Sequence, residues 1–283
     1  MGKPLFQQAR EAIGKQYARD HAQSTTKATM GAVRQFCAFL TTSYGLAKIE
    51  TLKKHMVDAY VKSRAGEVGA SALERDATAI RMIADAINKA NIVPHSNAQL
   101  GIVRAAADRY KPVRQNQEKA AAIKAGLYAR ADATGAARDK ALVGANELQA
   151  QFGLRAKESI MSRAVERDGR LVLEVGGAKG GRPRTLEPEN TNQRVALELL
   201  RTTSREIGNV NGKLIPPDMS AKQMYDYQRN TIRSLGATKA ADAHMHANRH
   251  KYAQDCRKAG NSDKEIALKL GHGREQVVPH YVA

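Results

Sequence analysis

The sequence predicts a mainly α-helical protein with one small β-sheet. Apolar residues recur at helical spacing through most of the 283 residues, whereas one stretch, residues 171–175, is rich in β-forming residues. Four glycines and a proline follow that stretch, with basic residues among them. This order is typical of a β-hairpin with a basic turn. We therefore expect a helical N-terminal part and a second part that combines helices with the hairpin.

Four helices are predicted in the N-terminal part. The first lies within residues 3–22 and the second within residues 24–45, where apolar residues follow helical spacing and Gly45 ends the pattern. A third is indicated around Leu52–Tyr60. The fourth is expected to begin at Ser71, whose side chain would form a capping box with Glu74. Their apolar stripes would form one core that ends near residue 91.

The next segment is predicted to be a basic linker. Residues 93–117 interrupt the helical pattern with Pro94 and Pro112 and carry four basic side chains. Helical patterning then resumes on the far side of the segment. The sequence therefore divides into a first domain of residues 1–92, this linker, and a second domain of residues 118–283.

The charge of the chain predicts a polyanionic partner. Lys and Arg number 46 against 28 Asp and Glu, a formal net charge of +18, and the isoelectric point is about 10.0. The excess is spread over both halves of the sequence, which suits a clamp around a nucleic-acid duplex better than a polybasic membrane anchor. A mean hydropathy of −0.52 and the lack of a long apolar run or secretory signal predict a soluble, cytoplasmic protein without a membrane partner.

Only two cysteines occur, Cys37 and Cys256. Each lies in a stretch with helical periodicity, and neither has a neighbouring Cys or His at a ligand spacing. We expect reduced thiols in the protein core rather than a disulfide or a metal site, which agrees with a reducing cytoplasm.

Histidine and arginine cluster near the C-terminus. A helix predicted from about residue 242 to 258 would carry His246, Arg249 and His250 on one face, where they could converge on one ligand. Such histidines are often merely structural. Zinc binding is a further alternative, but His246 and His250 lack the intervening Glu of the zinc-protease pattern and a nearby carboxylate ligand.

The sequence after this helix contributes two more candidates. Ser262 and Glu265 predict a capping box, and Gly271 would end the helix that follows. A helix C-terminus favours a protonated histidine, so His272 is expected to donate a hydrogen bond to an anion. Pro279 is expected to keep the preceding residue out of the α region, which would leave Tyr281 on a short tail rather than deep in a regular helix.

These motifs together carry a family resemblance. The sequence contains "GLRAKE" (residues 153–158), "GAKGGRPRTLEP" in the predicted hairpin, "HANRH", "LGH" and a final tyrosine. In this order they resemble the tyrosine recombinase (phage integrase) family, and "TKATMGAVRQFCAFL" is similar to the core-binding domain of that family. The resemblance implies a helical, SAM-like core-binding domain and an α+β tyrosine-recombinase catalytic domain. The six matching catalytic positions are Arg155, Lys179, His246, Arg249, His272 and Tyr281.

The chemistry of DNA strand transfer accounts for these residue types. Attack on a phosphodiester places extra negative charge on the non-bridging oxygens, which two arginines, Arg155 and Arg249, can bind, with His272 as a further donor. A tyrosine hydroxyl needs a base, for which His246 is the candidate, and the departing 5′ oxygen needs an acid.

Lys179 is the candidate acid, although Arg182 and Arg184 lie in the same basic turn. Lys157 and His250 are expected to play supporting roles. The resemblance implies a 3′-phosphotyrosyl intermediate at Tyr281, which requires neither cofactor nor metal.

The resemblance also implies partners. The DNA partner is a duplex with inverted half-sites. The chain would form a dimer on each site and a homotetramer on DNA, and accessory DNA-bending proteins would assist. Only two residues follow Tyr281, so we expect either that subunits are coupled through another surface or that the chain is shortened. We also expect no separate arm-site-binding domain, and a nucleoid-associated protein of a bacterial or phage mobile element. A type IB topoisomerase and a non-catalytic DNA-binding protein of the same fold are the alternatives.

Overall fold

Helices form the first unit of the chain, Met1–Asp108. The computed structural model describes residues 2–20, 23–105, 110–177 and 182–282. Helix α1 is kinked at Gly14, where φ is +80°. Buried apolar side chains of α2 and α4 pack together with Tyr60 of α3, whose ring meets that of Phe36 edge-on. The helices are α1 (Leu5–Asp20), α2 (Gln23–Tyr44), α3 (Lys54–Ala65) and α4 (Ala70–Ala86).

The start of α4 differs from the prediction. Its N-cap is Gly69, which has no side chain to cap the helix, and the carbonyl of Gly69 accepts from the amides of Ala72 and Leu73. Ser71 therefore lies inside the first turn, and the predicted capping box with Glu74 is wrong. Extended backbone at Gly69 lets the helix begin earlier than the side-chain signal indicates.

Residues that follow α4 pack onto this first unit. Val93 and Ile102 are buried in its core. Arg81 of α4 donates to the carbonyl of Pro94 and to the side chain of Asn97. By its internal contacts, the chain separates into two compact units, Met1–Asp108 and Arg109–Ala283. The DNA-binding and catalytic roles expected of the two parts remain predictions.

The second unit, Arg109–Ala283, joins helices to a three-stranded antiparallel sheet. Strand β2 lies in the middle, with Leu173 opposite Ala164 of β1 and Leu186 of β3. The predicted hairpin corresponds to β2 and β3, whereas β1, with the charged sequence "RAVER", was missed. The strands are β1 (Arg163–Arg167), β2 (Arg170–Val175) and β3 (Arg184–Leu186).

Helix α6 is the central helix of the second unit, because most of its residues are buried. It packs against α5, α8 and α10, and its Leu142, Leu148 and Phe152 lie in the main core. The helices of this unit are α5 (Gln117–Thr134), α6 (Ala137–Phe152), α7 (Ala156–Met161), α8 (Thr191–Glu206), α9 (Ala221–Ser234), α10 (Met245–Lys258), α11 (Asp263–Leu270) and α12 (Pro279–Val282).

The C-terminal segment confirms one prediction and corrects another. The Ser262 and Glu265 capping box is present at α11, and Gly271 ends this helix in the left-handed conformation. Val278 however adopts the α conformation, and Pro279 occupies the first position of α12. Proline is tolerated there because a first-turn amide has no partner within the helix. Tyr281 is thus buried and lies in a helical turn, Pro279–Val282, where a short tail was predicted.

Two further expectations concern thiols and membranes. Cys37 and Cys256 are both free and buried, which confirms the predicted core thiols. Among the described residues, no helix is both long and apolar enough to cross a bilayer.

Candidate active site

The "GLRAKE" motif places Arg155 at a sharp junction between α6 and α7. Gly153 ends α6 with φ at +61°, and a side chain there would meet the ring of Tyr252. Arg155 is the N-cap of α7, with extended backbone. Its amide donates to Oε2 of Glu158 at 3.0 Å, and its Nη1 donates to Oε1 at 2.6 Å. The Arg155 side chain remains 24% exposed, so its other N–H groups can reach a ligand.

Glu158 contacts three arginines in the interior of the second unit. Its carboxylate is fully buried, and it accepts from Arg155 and from Nη2 of Arg184 at 3.3 Å, while Nη1 of Arg249 lies 3.8 Å away. Burial alone would raise the pKa of Glu158, but Arg184, Arg155 and Arg249 outweigh it and lower the pKa. The carboxylate therefore stays charged and holds the guanidinium groups together.

Arg249 is completely buried, and its donors are used within the chain. Nη1 donates to the Gly153 carbonyl at 2.7 Å, and Nη2 donates to the Leu270 carbonyl at 2.6 Å. Nε lies 3.4 Å from the hydroxyl of Tyr281, and the guanidinium carbon lies 5.4 Å from the centre of that ring. Arg249 thus connects the ends of α6 and α11 to the tyrosine.

The tyrosine hydroxyl lies between Arg249 and His272. Nε2 of His272 is 3.0 Å from the hydroxyl and 2.9 Å from Nη2 of Arg249. Because a guanidinium can only donate, Nε2 must be the acceptor, and the neutral ring then carries its proton on Nδ1. The Tyr281 hydroxyl can accept from Arg249, and it shares the single lone pair of Nε2 with Nη2 of Arg249.

This arrangement corrects the predicted protonation of His272. Its pKa is lowered to about 4, first by burial and then by the charges of Arg249 and Arg155. A helix C-terminus would favour the charged form, but burial beside two arginines has the larger effect. His272 is therefore a neutral acceptor near neutral pH in this structure.

Two histidines of α10, His246 and His250, pack against the tyrosine ring. The centre of the His250 ring is 4.9 Å from that of Tyr281, and His246 lies 5.8 Å away. Nδ1 of His250 accepts from the Val113 amide at 3.3 Å. Partial desolvation, followed by neighbouring charges that include Arg249, lowers the pKa of both rings. Both are thus neutral near neutral pH.

Five of the six predicted positions lie together in the second unit. Arg155 and Arg249 flank Glu158, and Tyr281 contacts Arg249 and the rings of the histidines. The sixth position, Lys179, and the predicted basic tip of the hairpin lie outside the described residues. Within the described part of the chain, no group of three or more His, Cys, Asp or Glu side chains is placed to hold a metal ion.

Two residues of this cluster were not predicted as site residues. Glu158 was visible only as the last letter of "GLRAKE". Arg184 was noted for its position in the basic turn, but it is largely buried, donates from Nε to the Lys269 carbonyl at 2.9 Å and contacts Glu158. An arginine in a β-strand next to a basic turn gives no sequence signal that it is buried.

The sequence matches the profile of the integrase family, described as "Integrase", over residues 113–255. This range is about half of the chain and includes Arg155, His246 and Arg249. The chain belongs to the integrase family. Integrases of this family are tyrosine recombinases, enzymes that transfer DNA strands. His272 and Tyr281 follow the matched range, so their place in the site rests on the geometry described above.

Solved structures share the fold of this integrase. A XerH site-specific recombinase bound to palindromic difH substrate is 14% identical with a TM-score of 0.67, covering 93% of this chain and 77% of that chain. A lambda integrase dimer bound to a COC′ core site is 17% identical with a TM-score of 0.62, covering 99% and 77%. The Tn1549 transposon integrase with transposon right end DNA is 13% identical with a TM-score of 0.54, covering 99% and 95%. No match is found among curated protein sequences.

Proposed function

We propose that this integrase is a site-specific recombinase that cuts and rejoins DNA strands through Tyr281. The phenolic oxygen attacks a phosphodiester, forms a 3′-phosphotyrosyl bond and releases the 5′ oxygen. A 5′ hydroxyl of another strand then reverses the step, so no external energy source is needed. The observation that carries the proposal is the hydroxyl of Tyr281, which contacts both His272 and Arg249.

The arginines have different tasks in this proposal. Arg155 is partly exposed and fixed from behind by Glu158, so its free N–H groups bind the non-bridging oxygens of the phosphate. Arg249 lies beneath the tyrosine ring and donates toward its oxygen. It stabilises the negative charge of the phenolate and of the transition state that forms above it.

His272 is the base that the contacts support best. Its Nε2 lies at hydrogen-bond distance from the hydroxyl and has one lone pair, which also accepts from Arg249. As the bond to phosphorus forms, this lone pair can take the phenolic proton, and the hydrogen bond from Nη2 of Arg249 is then lost. His246, the base predicted from the sequence, is neutral as well and packs against the same ring. It is the second candidate.

Protonation of the leaving 5′ oxygen requires an acid. Lys179, which the family resemblance offers for this task, remains our candidate. Arg182 and Arg184 lie in the same turn of the sequence, but a guanidinium does not release its proton in proteins, and Arg184 is largely buried and pairs with Glu158.

The proposed substrate is double-stranded DNA. The net charge of +18 supports it, and the XerH and lambda integrase structures named above contain a palindromic substrate and a core site. A lambda integrase tetramer is bound to a Holliday junction. We propose a dimer of this chain on inverted half-sites and a tetramer during exchange, with accessory DNA-bending proteins. A cytoplasmic, nucleoid-associated role in a bacterial or phage mobile element fits this activity.

The test is capture of the covalent intermediate. Nicked, end-labelled suicide substrates from the genetic neighbourhood of the protein are incubated with the full chain in EDTA, and protein bound to DNA is separated under denaturing conditions. We expect an adduct that Tyr281→Phe abolishes and the control Tyr128→Phe retains. Tight DNA binding without any adduct would favour a non-catalytic binding protein, and relaxation of plasmids without a recombination site would favour a topoisomerase.

A further inference from the structure

Helix α12, which carries Tyr281, is attached to other elements of the second unit. Its described residues, Pro279–Val282, form one turn. Contacts between elements stabilise a helical turn more than its own backbone hydrogen bonds do, so groups outside this turn help to set the position of the nucleophile.

Gln254 of α10 supplies such a contact. Its side-chain nitrogen, Nε2, donates to the Tyr281 carbonyl at 3.0 Å and to the Val113 carbonyl at 3.0 Å. A primary amide has two N–H groups, so one glutamine can satisfy both acceptors. Gln254 is partly buried, and its contact with Tyr281 is to the backbone carbonyl.

Helix α12 and the segment around Val113 are linked by further contacts. His250, one turn before Gln254, accepts from the Val113 amide and packs against the Tyr281 ring. The rings of Tyr110 and His280 lie 4.9 Å apart. The segment by which the chain enters the second unit, residues 110–115, and helix α12 are therefore attached to the same edge of α10.

We propose that Gln254 is a positioning residue for the nucleophile, which holds Tyr281 at the attacking position by joining α12 to residues 110–115. This proposal rests on the proposed function of Tyr281. Gln254 does not touch the reacting atoms. Its loss would leave the arginines in place but let the phenolic oxygen move, and a shift of about 1 Å is enough to slow a reaction strongly.

The test uses three variants of the full chain and one matched control. Gln254→Glu keeps the size of the side chain but removes both donors, and Gln254→Leu removes all hydrogen bonding. Gln254→Lys restores a donor group. Gln276→Glu adds the same charge at an exposed glutamine near α12. Melting temperatures verify that each variant folds. If either Gln254→Glu or Gln254→Leu does not fold, the other still tests the proposal.

Two readouts separate this proposal from the proposed function. Hydrogen exchange at the Tyr281 amide, followed by mass spectrometry, reports the order of α12 without any catalysis. The single-turnover rate of adduct formation at saturating protein reports the attack step. The Kd for DNA, measured separately, reports binding. We expect about tenfold faster exchange and at least about tenfold slower attack in both loss variants, with Kd within twofold. Gln254→Lys should recover part of each loss, and Gln276→Glu should match the wild type.

The outcomes are distinct. Wild-type exchange and wild-type attack in both loss variants would overturn the positioning role. Parallel losses in DNA affinity, melting temperature and rate of adduct formation would also overturn it, because they indicate a purely structural residue. Faster exchange in the loss variants, together with a wild-type chain that never forms an adduct, would support the positioning of α12 and refute the recombinase activity.

Discussion

The hydroxyl of Tyr281 and Nε2 of His272 lie 3.0 Å apart, and this nitrogen is an acceptor because Arg249 donates to the same atom. The proposed nucleophile and a neutral acceptor are therefore paired before DNA binds. This pairing distinguishes His272 from His246, which packs against the ring of Tyr281.

The first prediction compares these two histidines. His272→Ala should slow adduct formation by about 10²-fold or more, because a positioned base contributes about that much. His272→Gln, which keeps an acceptor but cannot take a proton, should be nearly as slow. His246→Ala should have a smaller effect in the same single-turnover assay. A greater loss in His246→Ala than in His272→Ala would assign the base to the other ring.

Arg155→Ala should separate cleavage from binding. We expect about 10²-fold slower adduct formation, because Arg155 acts on charge that develops in the transition state, while the Kd for DNA stays within a few-fold. Arg163→Ala, an exposed arginine paired with Glu174, is the control and should retain the rate. Equal losses in rate and affinity for Arg155→Ala would contradict its proposed task.

Removal of the Glu158 carboxylate should destabilise the second unit. Glu158→Ala leaves three buried or partly buried arginines without their shared partner, and breaking a buried ion pair costs about 3 to 5 kcal/mol. Urea unfolding measures the change. Glu174→Ala removes a carboxylate that also pairs with two arginines, Arg163 and Arg167, but these are exposed, so it should cost less than about 1 kcal/mol. Similar costs for the two variants would argue against Glu158 as the centre of the cluster.

Gly153→Ala should damage both stability and activity. The new methyl group would clash with the Tyr252 ring, at a residue with φ of +61° whose carbonyl accepts from Arg249. Gly135 also ends a helix, with φ of +62°, but has nothing within 4 Å of a methyl group. Gly135→Ala should cost about 1 kcal/mol in unfolding free energy, and Gly153→Ala clearly more. Equal costs would show that the contact with Tyr252 relaxes.

The buried histidines should make stability depend on pH. Burial lowers the pKa of His250 and of His272 from 6.5 to about 4. The folded protein thus binds fewer protons than the unfolded chain between these values, so stability is full above pH 6.5 and falls as the pH drops toward 4. In chemical denaturation across this range, His250→Asn should reduce the slope and His95→Asn, at an exposed histidine, should not. An unchanged slope in His250→Asn would contradict this.

Much of the site was predictable because the motifs carry specific chemistry at fixed places in the chain. Arg155, Arg249 and Tyr281 are distant in sequence, yet the predicted helices and the capping box before Gly271 indicated where the elements would end. Protonation was not predictable, since the pKa of His272 depends on burial beside arginines from other elements. Tyr281 was wrongly expected on a tail because the statistical effect of Pro279 is weaker than the packing of Val278.

Strand β1 and the start of α4 were missed for related reasons. The charged sequence of β1 has little β-propensity, and its pairing with β2 gives it strand structure. The carbonyl of Gly69 begins α4 without a capping side chain. In both places the backbone forms hydrogen bonds that the local side-chain pattern does not predict.

Arg155, Arg249, His272 and Tyr281 all belong to one chain and one unit. If this arrangement persists on DNA, each subunit cuts only the strand that it holds itself. Mixing Tyr281→Phe chains with Arg249→Ala chains would then restore no cleavage, because neither chain can lend its intact residue to the other. In mixed assemblies, the number of strands cut would equal the number of intact subunits.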